Sequence, residues 1–327
     1  MKFRPWGKIK CALSLTSPKN WNFLGVLGTE TRSLCAWSYF HGMEELQSTR
    51  LIKIIDEESP KYAEKVKNAF RERVELFQGH GGSSNDIYEM ILMTDEHLIF
   101  QLARQISKMG SSIALDITSF PKRFFFPILK VLVKDSNIKN LILTYTSPQK
   151  YAPNNEPLYE EVHTWDSLPG FGDINNSKKQ WVVSVGFLVE SLRRHIGDNT
   201  QGLIKLLIPF PAPLSVIMRT WEAVSNLEAN HSEEKFEKIR VETTDISAAF
   251  DRICSIESES ESPLAFAPFG PKTTSVAMCL YAIHHESPVY YLQPTIYHPN
   301  YSIGIKENNP ESAINAYWIK HEGENFY

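Results

Sequence analysis

Two stretches centred on lysines 150 residues apart (272 − 122) carry one pattern. Ile113-Ala-Leu-Asp-Ile-Thr-Ser-Phe-Pro-Lys122 aligns without a gap against Pro263-Leu-Ala-Phe-Ala-Pro-Phe-Gly-Pro-Lys272. Thr94-Asp95 and Thr244-Asp245 keep the same separation. Upstream, Leu51-Ile-Lys-Ile-Ile55 answers Leu203-Ile-Lys-Leu-Leu207, and Gly28 with Ser33-Leu34 answers Gly186 with Ser191-Leu192. Repetition on this scale means two copies of one domain, and 327 residues suffice for each copy to bury its own core. The default place to look for function is then a pseudo-two-fold cleft.

Within each copy, short apolar runs alternate with helix-length amphipathic stretches. In the first copy strands are expected at 21–28, 50–56, 87–93, 112–117 and 140–145, with helices at 30–40, 61–77, 96–108 and 121–133. Ala63, Val66, Ala69, Phe70 and Val74 recur at helical spacing and give the second helix one apolar stripe. The second copy repeats the order: strands at 181–186, 202–208, 238–242, 263–267 and 289–293, helices at 188–195, 213–227, 246–256 and 271–284. Strands apolar on both faces and separated by helices belong to parallel sheets covered on both sides. The expected fold class is therefore α/β: two tandem copies of a doubly wound, mainly parallel Rossmann-like sheet. Residues 1–150 form the first domain, 151–180 a Pro-, Asn- and Asp-rich linker, and 181–327 the second domain with a tail that ends in a strand at 313–320.

Composition restricts the partners. A formal charge of −4 without a long Lys/Arg run argues against an extensive duplex nucleic-acid surface. No apolar run is long enough to span a bilayer. Cys11, Cys35, Cys254 and Cys279 stand singly, as in a reducing cytoplasm, and none has zinc-ligand spacing. Gly-x-Ser-x-Gly, Walker and His-Glu-x-x-His patterns are absent from the sequence.

In open parallel sheets, ligands bind beyond the carboxyl ends of the strands where strand order reverses. That rule selects Glu30 and Arg32 after the first strand, Asp56 after the second, Asp95 after the third, and Tyr145 after the fifth. After the fourth come Asp116, Thr118, Ser119, Lys122 and Arg123, the densest polar cluster at any strand end. Two hydroxyls, a helix N-terminus and a lysine in its first turn suit phosphate or carboxylate. Thr118-Ser119 before Pro121 equally fits a plain helix cap. Lysine opposes the helix dipole there, so its recurrence as Lys272 suggests a role beyond solvation. The copies differ elsewhere: Phe266 and Pro268 replace Asp116 and Thr118, so the first copy carries the polar equipment.

Asp116-x-Thr118-Ser119-Phe120-Pro121-Lys122 resembles the Asp-x-Thr-Gly-Gly-Thr-Lys stretch of the CRISPR-associated Rossmann-fold (CARF) family, with Ser119 and Phe120 in place of its glycines. Ser14-Leu-Thr-Ser-Pro18 is similar to that family's Thr-Ser-Pro segment, which would make 12–15 a strand. The tandem layout resembles SAVED domains. The resemblance implies a cyclic-oligonucleotide sensor in prokaryotic antiviral defence. The leading expectation is a cytoplasmic sensor or effector subunit that binds a nucleotide-like small molecule, with Thr118, Ser119, Lys122, Arg123, Arg32, Tyr145 and Lys272 as ligand contacts. One alternative is a metal-assisted hydrolase or nuclease, with Asp116, Asp95 and Glu30 as base or magnesium ligands. Another is a structural subunit that docks a protein partner or a second copy of itself.

Overall fold

The computed structural model describes residues 3–14, 20–56, 61–151, 159–162, 166–173, 177–187, 189, 192, 200, 202–307 and 309–327. The chain divides into two compact units, Lys2–Val162 with Pro294–Phe326, and His163–Gln293. Along the chain the first unit begins with β1 (Trp6–Lys8), α1 (Ile9–Ser14), β2 (Trp21–Val26), α2 (Cys35–Gly42) and β3 (Leu46–Ile55). It continues with α3 (Ala63–Gly79), β4 (Ile87–Ile91), α4 (Glu96–Ser107), β5 (Ser112–Asp116), α5 (Lys122–Lys134), β6 (Asn140–Thr146), β7 (Lys150–Tyr151) and β8 (Tyr159–Val162). The second unit holds β9 (Asp166–Ser167), β10 (Gln180–Ser184), β11 (Ile204–Phe210), α6 (Leu214–Asn230) and β12 (Phe236–Glu242). Then follow α7 (Ile246–Glu259), β13 (Leu264–Pro268), α8 (Lys272–His285) and β14 (Tyr290–Tyr291). The chain returns to the first unit for β15 (Pro294–Tyr297), β16 (Ser302–Ile303), α9 (Pro310–Ala313), β17 (Ile314–His321) and β18 (Glu324–Asn325).

All five expected strands of the first unit form, in the order β6-β5-β2-β3-β4 and all parallel. This is the doubly wound arrangement, with the winding reversing between β2 and β5. Every residue of β2 and β5 is buried, as central strands covered by helices on both faces require. In the second unit β12-β11-β10-β13 repeats the order β4-β3-β2-β5, again parallel throughout. The expected fifth strand there is reduced to a single parallel bridge from Val289 to Phe266, because Tyr290 and Tyr291 turn away to pair antiparallel with β9. Lys122 and Lys272 each open the helix that follows the fourth strand of its own sheet. Both units are Rossmann-like α/β sheets. The expected helix at 188–195 lies largely outside the described residues.

Three further expectations are corrected. Residues 151–180 are not a linker: the units divide at Val162/His163, with β7 and β8 in the first and β9 in the second. Residues 12–14 belong to the helix α1 rather than a strand, and 15–18 lie outside the described residues. The tail, expected with the second domain, completes the first instead. Its strand β17 pairs antiparallel with β6, placing Tyr317 opposite Leu143 and Trp318 opposite Ile142, and β1 closes its far side. The physical reason is burial: β6 carries Leu141, Ile142 and Leu143 with no exposure, and without β17 it would be a bare apolar edge. The Trp318 indole N–H donates to the Ala12 carbonyl at 2.9 Å, which fixes α1 over the new strand. Lys320 donates to the Leu132 and Asp135 carbonyls at 3.2 and 2.8 Å, satisfying the C-terminal end of α5. Burial pushes the Lys320 pKa below that of an ordinary lysine. Among the described residues, no helix is long and apolar enough to cross a membrane.

Candidate functional site

The loops that leave β2 and β5 meet at the point where winding reverses, and glycine lets them meet. A Cβ on Gly28 would stand 3.0 Å from Cβ of Ser119, so the two loops are packed against each other over the strand ends. In the second unit a Cβ on Gly186 would overlap the Phe269 carbonyl, and one on Gly270 would overlap Ser184. Gly28 and Gly186 are counterparts in the repeat, so both units close this crevice by the same device. Space for a ligand must then lie to one side of it.

Asp116 ends β5 with no exposure. Its Oδ1 accepts the Thr118 hydroxyl at 2.6 Å and the Thr144 hydroxyl at 3.0 Å. The Thr118 hydroxyl in turn accepts the backbone N–H of Thr146 at 2.9 Å. The chain Asp116–Thr118–Thr146 therefore stitches the end of β5 to that of β6. A buried carboxylate with these partners holds a loop in shape and is not presented to a substrate.

Glu30, Arg32, Ser119 and Tyr145 are brought together. The Arg32 guanidinium lies 2.8 Å from a Glu30 carboxylate oxygen, donates to the Ser302 hydroxyl at 3.0 Å and donates to the Thr146 carbonyl at 2.6 Å. Ser302 donates to the other Glu30 oxygen at 2.8 Å, and Ser119 reaches Glu30 at 3.4 Å. The Arg32 guanidinium carbon stands 5.5 Å from the Tyr145 ring centre. Burial alone would lower the Arg32 pKa, but Glu30, Tyr145 and Tyr151 outweigh it and hold the guanidinium above its ordinary value. The neighbouring Tyr145 and burial push the Tyr151 phenol well up, against the opposing pull of Arg32. Ser302, from the tail, was not foreseen, since nothing in its sequence surroundings marks it.

The remaining expected residues occupy the following positions. Lys122 is buried in the first turn of α5. Arg123 donates to the Thr94 carbonyl at 2.8 Å and so pins the loop after β4. Asp95 precedes α4 as an exposed N-cap residue. Lys272 belongs to the second unit. Among the described residues, no group of three or more His, Cys, Asp or Glu side chains is arranged to hold a metal ion.

Beside the closed crevice lies an open cleft of about 600 Å³ between the loop after β2, the polar face of α3 and the tail. Thr29 and Thr31 line it from the first, Lys61, Lys65, Asn68 and Arg73 from the α3 side, and Asn300 from the tail. Glu64 and Glu72 also face it. Arg73 is only 13% exposed, it pairs with the exposed Glu72 at 3.2 Å, and its Nε has no acceptor among the described residues. Behind the cleft the Cys35 thiol is pushed up to about 11, by burial first and Asp116 second, with Arg32 and Arg73 opposing. Asp56, at the end of β3, has its pKa raised by burial although it accepts the Tyr297 N–H at 3.2 Å. That bond and the edge-to-face contact of Tyr62 with His298, 5.0 Å between centroids, fasten the tail to the mouth of the first sheet. The cleft's lysines and Arg73 went unrecognised in the sequence because a helix's polar face looks the same whether it lines a cleft or meets water. Their position directly after the second strand was the available signal.

No family model matches the chain, and no curated protein matches it. Among solved structures, the cytoplasmic domain of a prokaryotic cation chloride cotransporter is similar at 10% identity and a TM-score of 0.26, covering 85% of this chain and 96% of that one. A universal stress protein from Archaeoglobus fulgidus DSM 4304 is similar at 11% identity and a TM-score of 0.23, covering 84% and 97%. Similarity at this level says nothing of what the chain binds.

Proposed function

We propose that the first unit binds a phosphorylated, nucleotide-like small molecule in the cleft between the β2 loop and α3, as the ligand-receiving part of a cytoplasmic sensor or effector. The observation that carries the reading is Arg73: an arginine whose side chain is 13% exposed and whose Nε has no acceptor among the described residues, lining a cleft that also holds Lys61, Lys65 and two threonine hydroxyls. Guanidinium and ammonium groups around a polar cleft suit phosphate oxygens, and a volume of about 600 Å³ suits a ligand of nucleotide size. Glu64 and Glu72 add selectivity, since they repel anions that do not offer a sugar or base edge on their side. The resemblance of Asp116–Lys122 to the CARF stretch makes cyclic oligonucleotides, and with them antiviral defence, the first class to test. In this reading Asp116 and Thr118 hold the neighbouring strand ends in shape while α3 and the β2 loop provide the contacts.

The test is a thermal-shift panel of mono-, di- and cyclic nucleotides and phospho-sugars on the intact protein. The reading expects a concentration-dependent rise in Tm for at least one phosphorylated compound, abolished in Lys65→Ala and Arg73→Ala. A panel without any shift, or a shift indifferent to both substitutions, overturns it.

A further inference from the structure

At the outer edge of the second unit, apolar side chains face solvent in a row. Leu214, Met218 and Trp221 on α6 follow one another at spacings of four and three, and they are 74, 59 and 55% exposed. Phe210, at the end of β11, adds a fourth at 47%. Such spacing produces a stripe down one side of a helix, the pattern by which one helix packs along another. Isolated exposed apolar residues are ordinary, but a contiguous set marks an interaction surface.

The neighbouring strand says what would cover it. β12 ends its sheet, so one side of its backbone is unpaired among the described strands. Along β12, Lys238, Arg240 and Glu242 are exposed while Ile239 and Val241 are buried. Lys238 lies 5.4 Å from the Trp221 ring centre and Arg240 5.2 Å from that of Phe210, which places the exposed row on the α6 side of the sheet. Lys238 is already paired with Glu228 at 2.7 Å. Glu242 is steadied by the Thr244 hydroxyl at 3.2 Å.

We propose that a second copy of this chain docks here, β12 against β12 in antiparallel register about Val241, with the α6 stripes side by side. Residues directly opposite in an antiparallel pair share a face. That register sets Arg240 opposite Glu242 of the partner subunit, and the two-fold axis repeats the pair. The strand therefore carries its own complementary charge, and the apolar residues that cost most in water are beside it. Among the other edge strands, β4 also exposes Tyr88 and Ile91, but its one charged residue, Glu89, is closed by Lys53 at 2.6 Å, so a self-pair of β4 brings no opposite charge of its own.

Sedimentation velocity and light scattering on the intact protein at micromolar concentration test the proposal. The expected result is a closed dimer. Arg240→Glu or Glu242→Arg alone weakens it by about tenfold or more, and the double exchange R240E/E242R restores it. Leu214→Ser with Trp221→Ser also gives monomers, with unchanged helical circular dichroism showing that the fold persists. A monomeric wild type, a dimer indifferent to these substitutions, a charge exchange without rescue, or open-ended polymers (as β4–β12 pairing would give) each overturns it.

Discussion

Arg32 and Glu30 stand two residues apart in sequence and form a 2.8 Å ion pair in which the arginine is 5% and the glutamate 14% exposed. Ser302, from the far end of the chain, bonds to both. The pair therefore fastens the returning tail to the loop that borders the cleft. Removing one partner of a buried pair leaves an uncompensated charge, which costs far more than the intact pair gains. Glu30→Gln is expected to lower the unfolding free energy by about 3 kcal/mol in denaturant titration. A change within about 0.5 kcal/mol, as an exposed pair would give, contradicts this placement.

Asp116 separates the binding reading from the catalytic one. Its carboxylate serves the Thr118 and Thr144 hydroxyls, and a buried hydroxyl without an acceptor costs roughly 1–3 kcal/mol. Asp116→Ala should therefore destabilise the protein by about 3 kcal/mol, while Asp116→Asn, which keeps an acceptor oxygen, should cost less. Melting of the two variants checks this. If both melted like the wild type, the carboxylate would not be the structural clasp described here.

Asp56 gives a pH signature. Burial raises its folded pKa above that of the unfolded chain, so its contribution to stability is fully present below the unfolded pKa and is lost as pH rises through the folded value. At neutral pH the ionised group is desolvated at a cost. Asp56→Asn keeps an acceptor for the Tyr297 N–H without the charge. Its Tm should exceed the wild-type value at pH 8, with the difference shrinking as the wild-type carboxyl becomes protonated in acid. A difference that is constant across pH, or of opposite sign, would show that burial does not control this group.

The parallel core could be read from the chain because the central strands are apolar on both faces and separated by helix-length amphipathic segments, as with Ile113–Leu115 before Phe124–Leu129. The position of β17 could not, since an antiparallel strand from the tail is defined only by the bare edge it covers. The repeat identified Lys122 and Lys272 as equivalent, and both do open equivalent helices. Strand-end position also found Glu30, Arg32 and Asp116. It could not distinguish side chains that hold loops together from those that face open space, because hydrogen-bond partners such as Thr144 and Ser302 lie far off in sequence. Lys65 and Arg73 escaped notice for the opposite reason: an α3 face lining a cleft has the composition of any solvated helix.

The cleft is tested most directly by isothermal titration of the best phosphorylated ligand from the panel into wild type and Arg73→Met at two salt concentrations. The account predicts saturable one-site binding, weakened at least about tenfold in the variant with its Tm unchanged, and weakened in wild type by added salt as ion pairing with phosphate requires. Equal affinity in the two proteins would contradict it.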